Sequence, residues 1–455
     1  MSQFIPSSIN TLENQPARWQ RTVRATITIL VLVGFTLYGL FWLMQALPSQ
    51  AQSLPVLNTI YYVTEEGTVN DDCSQTSPCT LQRAADLAAD GDTIHVAGGT
   101  YQSDTLTPTL YLDNKSVLVA GGFDSNDWTA EPDPVLRPTV LDGGANGRVV
   151  RIDGSANPII EGFTIRNGLL NGQGAGVFVG GGSATLRNNV IANNTSINAI
   201  GAAVYVSAVA HADIISNTIR FNNGNAIIAV EGTATIAYNI IHSNVGSFGV
   251  IRNYFDSSMA VIGNLIFANQ ANQGGGIHVQ EEALLVNNTI VDNSASTNGG
   301  GIFIALGTNV ITITNNIVAN NAGAGTTGIA DGTGGSATID GGYNNIFNNG
   351  SDVTLPETVI DDPQFINPAN GNYRLREDSP NINAGDPNTD PAINIDLDGN
   401  PRPNDGRIDI GAYEFYPGRP NFTLEPSVIR EFVERDTTAV YTHVIENIGT
   451  TVTDT

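Results

Sequence analysis

Across residues 162–349 one short pattern of apolar and polar positions keeps returning: an asparagine with an aliphatic residue three positions before it and another two positions after it. The copies are Leu186/Asn189/Ile191, Ile214/Asn217/Ile219, Ile236/Asn239/Ile241, Val261/Asn264/Ile266, Leu285/Asn288/Ile290 and Ile313/Asn316/Val318. Successive asparagines are separated by 28, 22, 25, 24 and 28 residues. Self-similarity at such a period predicts a solenoid, in which each repeat buries its apolar side chains by stacking on the next. The two aliphatics predict two short strands meeting at a bend. The asparagine is expected to form that bend, because among residues with a side chain it best tolerates left-handed backbone and bonds locally. With coils about 4.8 Å apart, the asparagine side chains are expected to bond one another in a ladder.

A third strand, begun by glycines, precedes each pair and is clearest at 174–179, 201–206, 274–279 and 299–304. Three strands per coil predict three parallel sheets and an all-β fold. A helical repeat is excluded, since glycine and asparagine are poor helix residues and the apolar spacing lacks a period of 3.6. These residues resemble right-handed parallel β-helix repeats of the pectate-lyase type over about 190 residues. The resemblance implies a right-handed parallel β-helix solenoid of the pectin-lyase-like class.

The flanks divide the chain into four regions: 1–51, the β-helix at 52–350, 351–418 and 419–455. Residues 1–24 are polar and carry Arg18, Arg21 and Arg24, and the next 23 residues, 25–47, have no charge. That stretch is long enough to span a bilayer, with the arginines inside. Ser49-Gln50-Ala51 offers a small-x-small cleavage site. A cleaved signal and a retained transmembrane anchor both stay open, and either exports everything after Ala51 to the cell surface or beyond. Cys73 and Cys79 are the only cysteines, and in an oxidising exterior they are expected to pair as a small disulfide loop. Leu81, Ala84, Ala85, Leu87 and Ala88 share one face of a short helix ending near Gly91, suited to capping the open solenoid end.

After Asn349 the repeat stops. The run Asp361-Asp362-Pro363-Gln364-Phe365, the phrase Ser379-Pro380-Asn381-Ile382-Asn383-Ala384-Gly385-Asp386 and the ending Asp409-Ile410-Gly411-Ala412-Tyr413-Glu414 resemble the choice-of-anchor Q domain. That resemblance implies surface display and brings no known chemistry. From Asn421 onward, alternation around Val440, Thr442, Val444 and Glu446 predicts a half-buried antiparallel strand. It looks like the opening of an immunoglobulin-like surface repeat, and it stops at Thr455, too soon to bury a core.

Composition narrows the partners. Of 455 residues only 14% are charged, against about 25% in an average globular protein, and the net charge is -25 with Lys115 the single lysine. So acidic a surface argues against nucleic acid and anionic lipid, and repels polyuronates unless a divalent cation bridges.

Candidate chemistry is sparse. A pectate-lyase-like site needs several carboxylates on calcium and a nearby Arg or Lys, yet Asp213, Glu231, Asp256, Glu281, Glu282, Asp292, Asp331 and Asp340 do not recur at equivalent coil positions. The paired aspartates with His and Arg-Lys motifs of a polygalacturonase-like site are missing. Arg220 and His242 fall on successive coils three residues after their asparagines, and with Arg252 they form the best basic cluster. Phe178, Tyr205, His278 and Phe303 are expected outward in the middle of the third strand, with Ala229 interrupting them. They would give a platform of exposed rings for sugars. Asp396, Asp398, Asp405 and Asp409 have the alternating oxygens and glycine turn of a calcium loop, although Arg407 stands where an EF-hand needs its twelfth, acidic residue. The sequence reading is an exported, non-catalytic β-helix that binds polysaccharide or a cell-surface partner. The alternative is a polysaccharide lyase or glycoside hydrolase of the same fold.

Overall fold

The computed structural model describes residues 58–417, except 104–106, 255, 306–309, 326–327 and 351, together with the backbone of Phe422–Glu425 and Val444–Asn447. The apolar stretch 25–47 and the rest of 418–455, where the membrane segment and the immunoglobulin-like module are expected, lie outside the described residues. The two short C-terminal strands pair antiparallel.

Residues 60–347 wind as a right-handed parallel β-solenoid of about nine turns. One coil shows the order. Val177–Val179 belongs to a nine-stranded sheet (sheet III), Gly182–Arg187 to an eleven-stranded sheet (sheet I) and Val190–Ala192 to a ten-stranded sheet (sheet II). Thr195–Ser196 adds a fourth, seven-stranded sheet of short strands (sheet IV) that the sequence did not suggest. Inward positions alternate with outward ones along each strand, so Leu186, Ile214, Ile236, Val261, Leu285 and Ile313 stack into one continuous core with Ile191, Ile219, Ile241, Ile266, Ile290 and Val318.

The expected asparagine ladder is present and has a twin. Each Nδ2 of Asn189, Asn217, Asn239, Asn264, Asn288 and Asn316 donates to the Oδ1 of the next, ending on Asn344, at 2.9–3.2 Å. Five residues further along every coil, Asn194, Asn222, Asn244, Asn269, Asn293 and Asn321 do the same, ending on Asn349. One expectation is corrected. The left-handed residue is the one before each asparagine: Asn188, Ser216, Tyr238, Gly263, Asn287, Asn315 and Tyr343 in the first ladder, and Asn193, Phe221, Ser243, Ala268, Asp292, Asn320 and Asn348 in the second, all at φ 51–63°. The bend is therefore made by its predecessor, and the asparagine satisfies the buried backbone groups that the bend would leave orphaned.

Both ends are closed. At the start, Ile60–Thr68 pairs with Thr93–Ala97, the Cys73–Cys79 disulfide lies in the core, and the helix Leu81–Leu87 packs beneath with Thr80 accepting at its N-cap. The helix ends at Leu87, earlier than expected, and Leu87 itself is exposed while Ala88 is buried. At the far end Val353 and Leu355 cover the last coil.

Residues 361–416 lie against sheet II, whose outward positions in the later coils are apolar and need cover. Phe365, Tyr373, Leu375, Ile410, Ala412 and Tyr413 pack on Leu265, Val291, Ile317 and Ala319. Asn287 Nδ2 donates to the Asp409 and Gly411 carbonyls, Ala412 N–H to Thr289, and Tyr373 Oη to Asp292. Gly411 is required here: at φ 99° it passes so close that a Cβ would lie 2.6 Å from Ile317. Within this region burial, followed by the neighbouring Glu414 carboxylate, pushes Asp409 up to about 7. Because its folded pKa is raised above the usual carboxylate value, the native state holds a proton that the unfolded chain has lost. Stability is then expected to fall as pH rises from about 4 through 7. Asp409→Asn should melt lower at every pH but lose that slope; an unchanged slope in melts from acid to neutral pH would exclude Asp409 as its source.

Candidate functional site

Seven of the nine strands of sheet III contribute three residues, of which the middle one faces out, and the first two, Leu110–Asp113 and Val150–Asp153, contribute four and turn their second and fourth outward. In register the second residues are Tyr111, Arg151, Phe178, Tyr205, Ala229, Arg252, His278, Phe303 and Ala330. The four expected rings do form one row, but they are not an exposed platform: Tyr205, His278 and Phe303 are 4%, 2% and 7% exposed, and only Phe178 is half-open. Gly174, Gly201, Gly274 and Gly299 take φ 63–72° before all four rings alike, so the cover comes from what packs on them: Tyr205 lies among Phe178, Ala226, Ala229 and Tyr254, and His278 between Phe248 and Phe303.

The covered part of the row is tied up internally. Tyr205 donates its phenol to Glu231, and burial, followed by that carboxylate, raises its pKa. Arg252 lies 4.4 Å over the Tyr254 ring and 5.0 Å over Phe248, with two donors on Gln280. Burial, followed by Arg252, drives His278 down to about 3. It is a neutral ring packed edge-on against Phe303.

The other end of the row is open. Phe178 stacks on Tyr205 with centroids 5.2 Å apart. The Arg148 and Arg151 guanidinium carbons sit 4.5 and 5.3 Å from the Phe178 ring, and Arg151 also lies 5.9 Å from Tyr111, which is 37% exposed. Arg148 is fixed by the Gln173 and Gly174 carbonyls, and burial, followed by repulsion from Arg151, draws it down to about 10. Arg151 pairs with Asp153. Tyr111 and Arg151 carry no signal in the sequence, because they sit on irregular early coils without the asparagine phrase.

The basic cluster comes apart in part. Arg220 and His242 are cross-strand neighbours on sheet II, as expected, but Arg252 stands on sheet III. His242 stacks on Phe267 at 4.9 Å, and burial, followed by Arg220, lowers it to about 4. The calcium loop is a second correction. Asp396 accepts from the Asp398, Asn400 and Glu414 N–H groups, Asp398 is bound by Arg374, Asp409 accepts from the Asn383 and Phe415 N–H groups, and Asp405 is exposed on a turn. Their oxygens are used by the backbone and do not converge. Among the described residues no group of three or more His, Cys, Asp or Glu side chains is placed to hold a metal ion.

Sheet I carries a separate feature, an open groove of about 440 Å³ running across successive coils, with His211, Thr233, Ser258, Glu282 and Leu284 along it. On its rim His211 Nε2 is 3.1 Å from Asp213 Oδ1 and His211 Nδ1 is 2.8 Å from Thr233 Oγ1.

Fold and register together define a right-handed parallel β-helix. Residues 148–341 match the family model of the right handed beta helix region. Solved structures similar to the chain include pectate lyase Pel9A, at TM-score 0.43 and 15% identity, covering 78% of this chain and 96% of that one. Another is XylC in complex with xylose, at TM-score 0.40 and 10% identity, covering 79% and 98%. No curated protein matches the chain.

Proposed function

We propose that the chain is an exported surface scaffold that binds a neutral glycan at the open end of the sheet III row. The observation that carries this reading is the stack Tyr111, Arg151, Phe178, in which a partly exposed phenol and a half-open ring flank a guanidinium paired with Asp153. Sugar rings stack on aromatic faces, and a planar Arg–carboxylate pair offers donors and acceptors to neighbouring hydroxyls. Arg148 and Arg151 are matched nearby by Asp113 and Asp153 on a chain of net charge -25, which favours an uncharged ligand over a polyuronate. Export rests on residues 18–51, and surface display on the resemblance of 351–418 to the choice-of-anchor Q domain and of 419–455 to an immunoglobulin-like repeat.

Retention of the purified ectodomain on immobilised xylan, glucan and mannan tests the proposal. Tyr111→Ala and Arg151→Met are each expected to weaken retention by about tenfold. Equal retention of both variants and the parent, or none by the parent, would overturn it. The alternative, a polysaccharide lyase or glycosidase, predicts unsaturated product or new reducing ends from the same polymers.

A further inference from the structure

The groove on sheet I holds an arrangement that glycan binding does not use. His211 and Asp213 are two residues apart on Ala210–Ile215 and so point to the same side. Thr233 is the cross-strand partner of His211, and Ser258 is the partner of Thr233 on the next coil. Hydrogen bonds join the first three in order, Asp213 to His211 Nε2 and His211 Nδ1 to Thr233 Oγ1. With Asp213 fixing the proton on Nε2, Nδ1 is left as the acceptor for the threonine hydroxyl. A hydroxyl, an imidazole and an orienting carboxylate in series are what nucleophilic acyl transfer requires, whichever fold supplies them. We propose that this groove is an esterase site for small acyl groups, such as acetyl esters on a carbohydrate, with Thr233 as nucleophile, His211 as general base and Asp213 orienting it.

In the first step Thr233 Oγ1 attacks the ester carbonyl and its proton passes to His211 Nδ1. The carbonyl-to-alkoxy bond breaks, and the departing alcohol oxygen takes that proton. In the second step a water gives a proton to His211 Nδ1 and attacks the acyl carbon, the bond from that carbon to Thr233 Oγ1 breaks, Oγ1 takes the proton back from His211, and the carboxylic acid departs. The net change is ester plus water to acid plus alcohol. Ser258, directly across from Thr233, supplies a hydroxyl toward the charged carbonyl oxygen of the tetrahedral intermediate. Ala260 and Leu284 provide a small apolar wall on the next row of the groove, which suits a short acyl chain, and Glu282 is left to accept from sugar hydroxyls.

The full ectodomain is assayed with 4-nitrophenyl acetate and with acetylated xylan, following 4-nitrophenolate and free acetate. Turnover above buffer is expected, lost by on the order of 100-fold or more in Thr233→Ala and His211→Ala, kept in part by Thr233→Ser, and slowed in Ser258→Ala. Mass spectrometry of quenched samples should place an acetyl adduct on the peptide containing Thr233. Thr233 and His211 lie on the surface, so unchanged melting curves certify the fold. A parent rate equal to that of Thr233→Ala, or an adduct elsewhere, overturns the proposal. The substitutions leave sheet III untouched, so glycan retention and ester cleavage fail or succeed independently.

Discussion

Asn239→Ala is expected to lower the stability of the solenoid by about 3–5 kcal/mol, more than any surface change in the same coil. The Asn239 side chain, fully buried, accepts from both the backbone and side-chain nitrogens of Asn217 and donates to the Ile214 and Ala237 carbonyls and to Asn264. Truncation leaves the Asn217 N–H and the Ile214 carbonyl buried without partners, and each orphaned group costs roughly 1–3 kcal/mol. Asn223 provides the control. It stands one residue past the second ladder, is exposed, and loses nothing but solvent contact as alanine. Urea midpoints read the difference directly, provided the slope is unchanged. Equal midpoints for the two variants would refute the view that the ladders hold the coils together.

The second large effect is expected from Glu414→Gln in the segment that covers sheet II. Glu414 and Arg402 form an ion pair at 3.0 Å with side chains 1% and 0% exposed. The same carboxylate accepts the Asn404 and Asp409 N–H groups, while Arg402 also donates to the Gly411 carbonyl. Neutralising Glu414 takes the ion-pair partner from a buried guanidinium, a change that destabilises by about 3–5 kcal/mol. Arg402→Met in the Glu414→Gln background should recover part of that loss, because no unpaired charge then remains, and a double-mutant cycle measures the coupling. Additive losses would show that the pair does not act as a unit. Because residues 361–416 seal the apolar outside of sheet II, Glu414→Gln is also expected to raise protease sensitivity between residues 360 and 417 before the coils themselves open.

The parts of this structure that were legible in the sequence are those in which one residue type does one job at a fixed place. Ile236, Asn239 and Ile241 announce a strand, a bend and a strand, and the coils are where they say. The second ladder stands at a constant five residues from the first, yet its flanks vary: Thr195, Asn223, Val245, Gln270 and Ser294 occupy one position of sheet IV. No apolar pattern marks two-residue strands that face the corner. The left-handed position was misassigned because it accepts Asn, Ser, Tyr, Phe, Ala and Asp alike, the tightness of the bend overriding residue preference. The rings of sheet III were placed in the right row, but their burial depends on Tyr254 and Phe248 packing over Tyr205 and His278, which period alone does not reveal. Thr233 meets the His211–Asp213 pair only because the coil between them is 22 residues long, a register that no single strand displays.

The fixed spacing between the two asparagine ladders has a practical meaning for anyone altering this molecule. From Asn189 to Asn194, and in each later coil, the interval is five residues, whereas the arc from the second ladder to the next first ladder ranges from 17 (Asn222 to Asn239) to 23 (Asn194 to Asn217). One edge of the solenoid is therefore a rigid spine of constant pitch, and the opposite arc is an adjustable hem. Peptides grafted into the hem, for instance beside Val209, will ride at evenly spaced heights along the rod, while a single residue added inside the spine will put every later coil out of step.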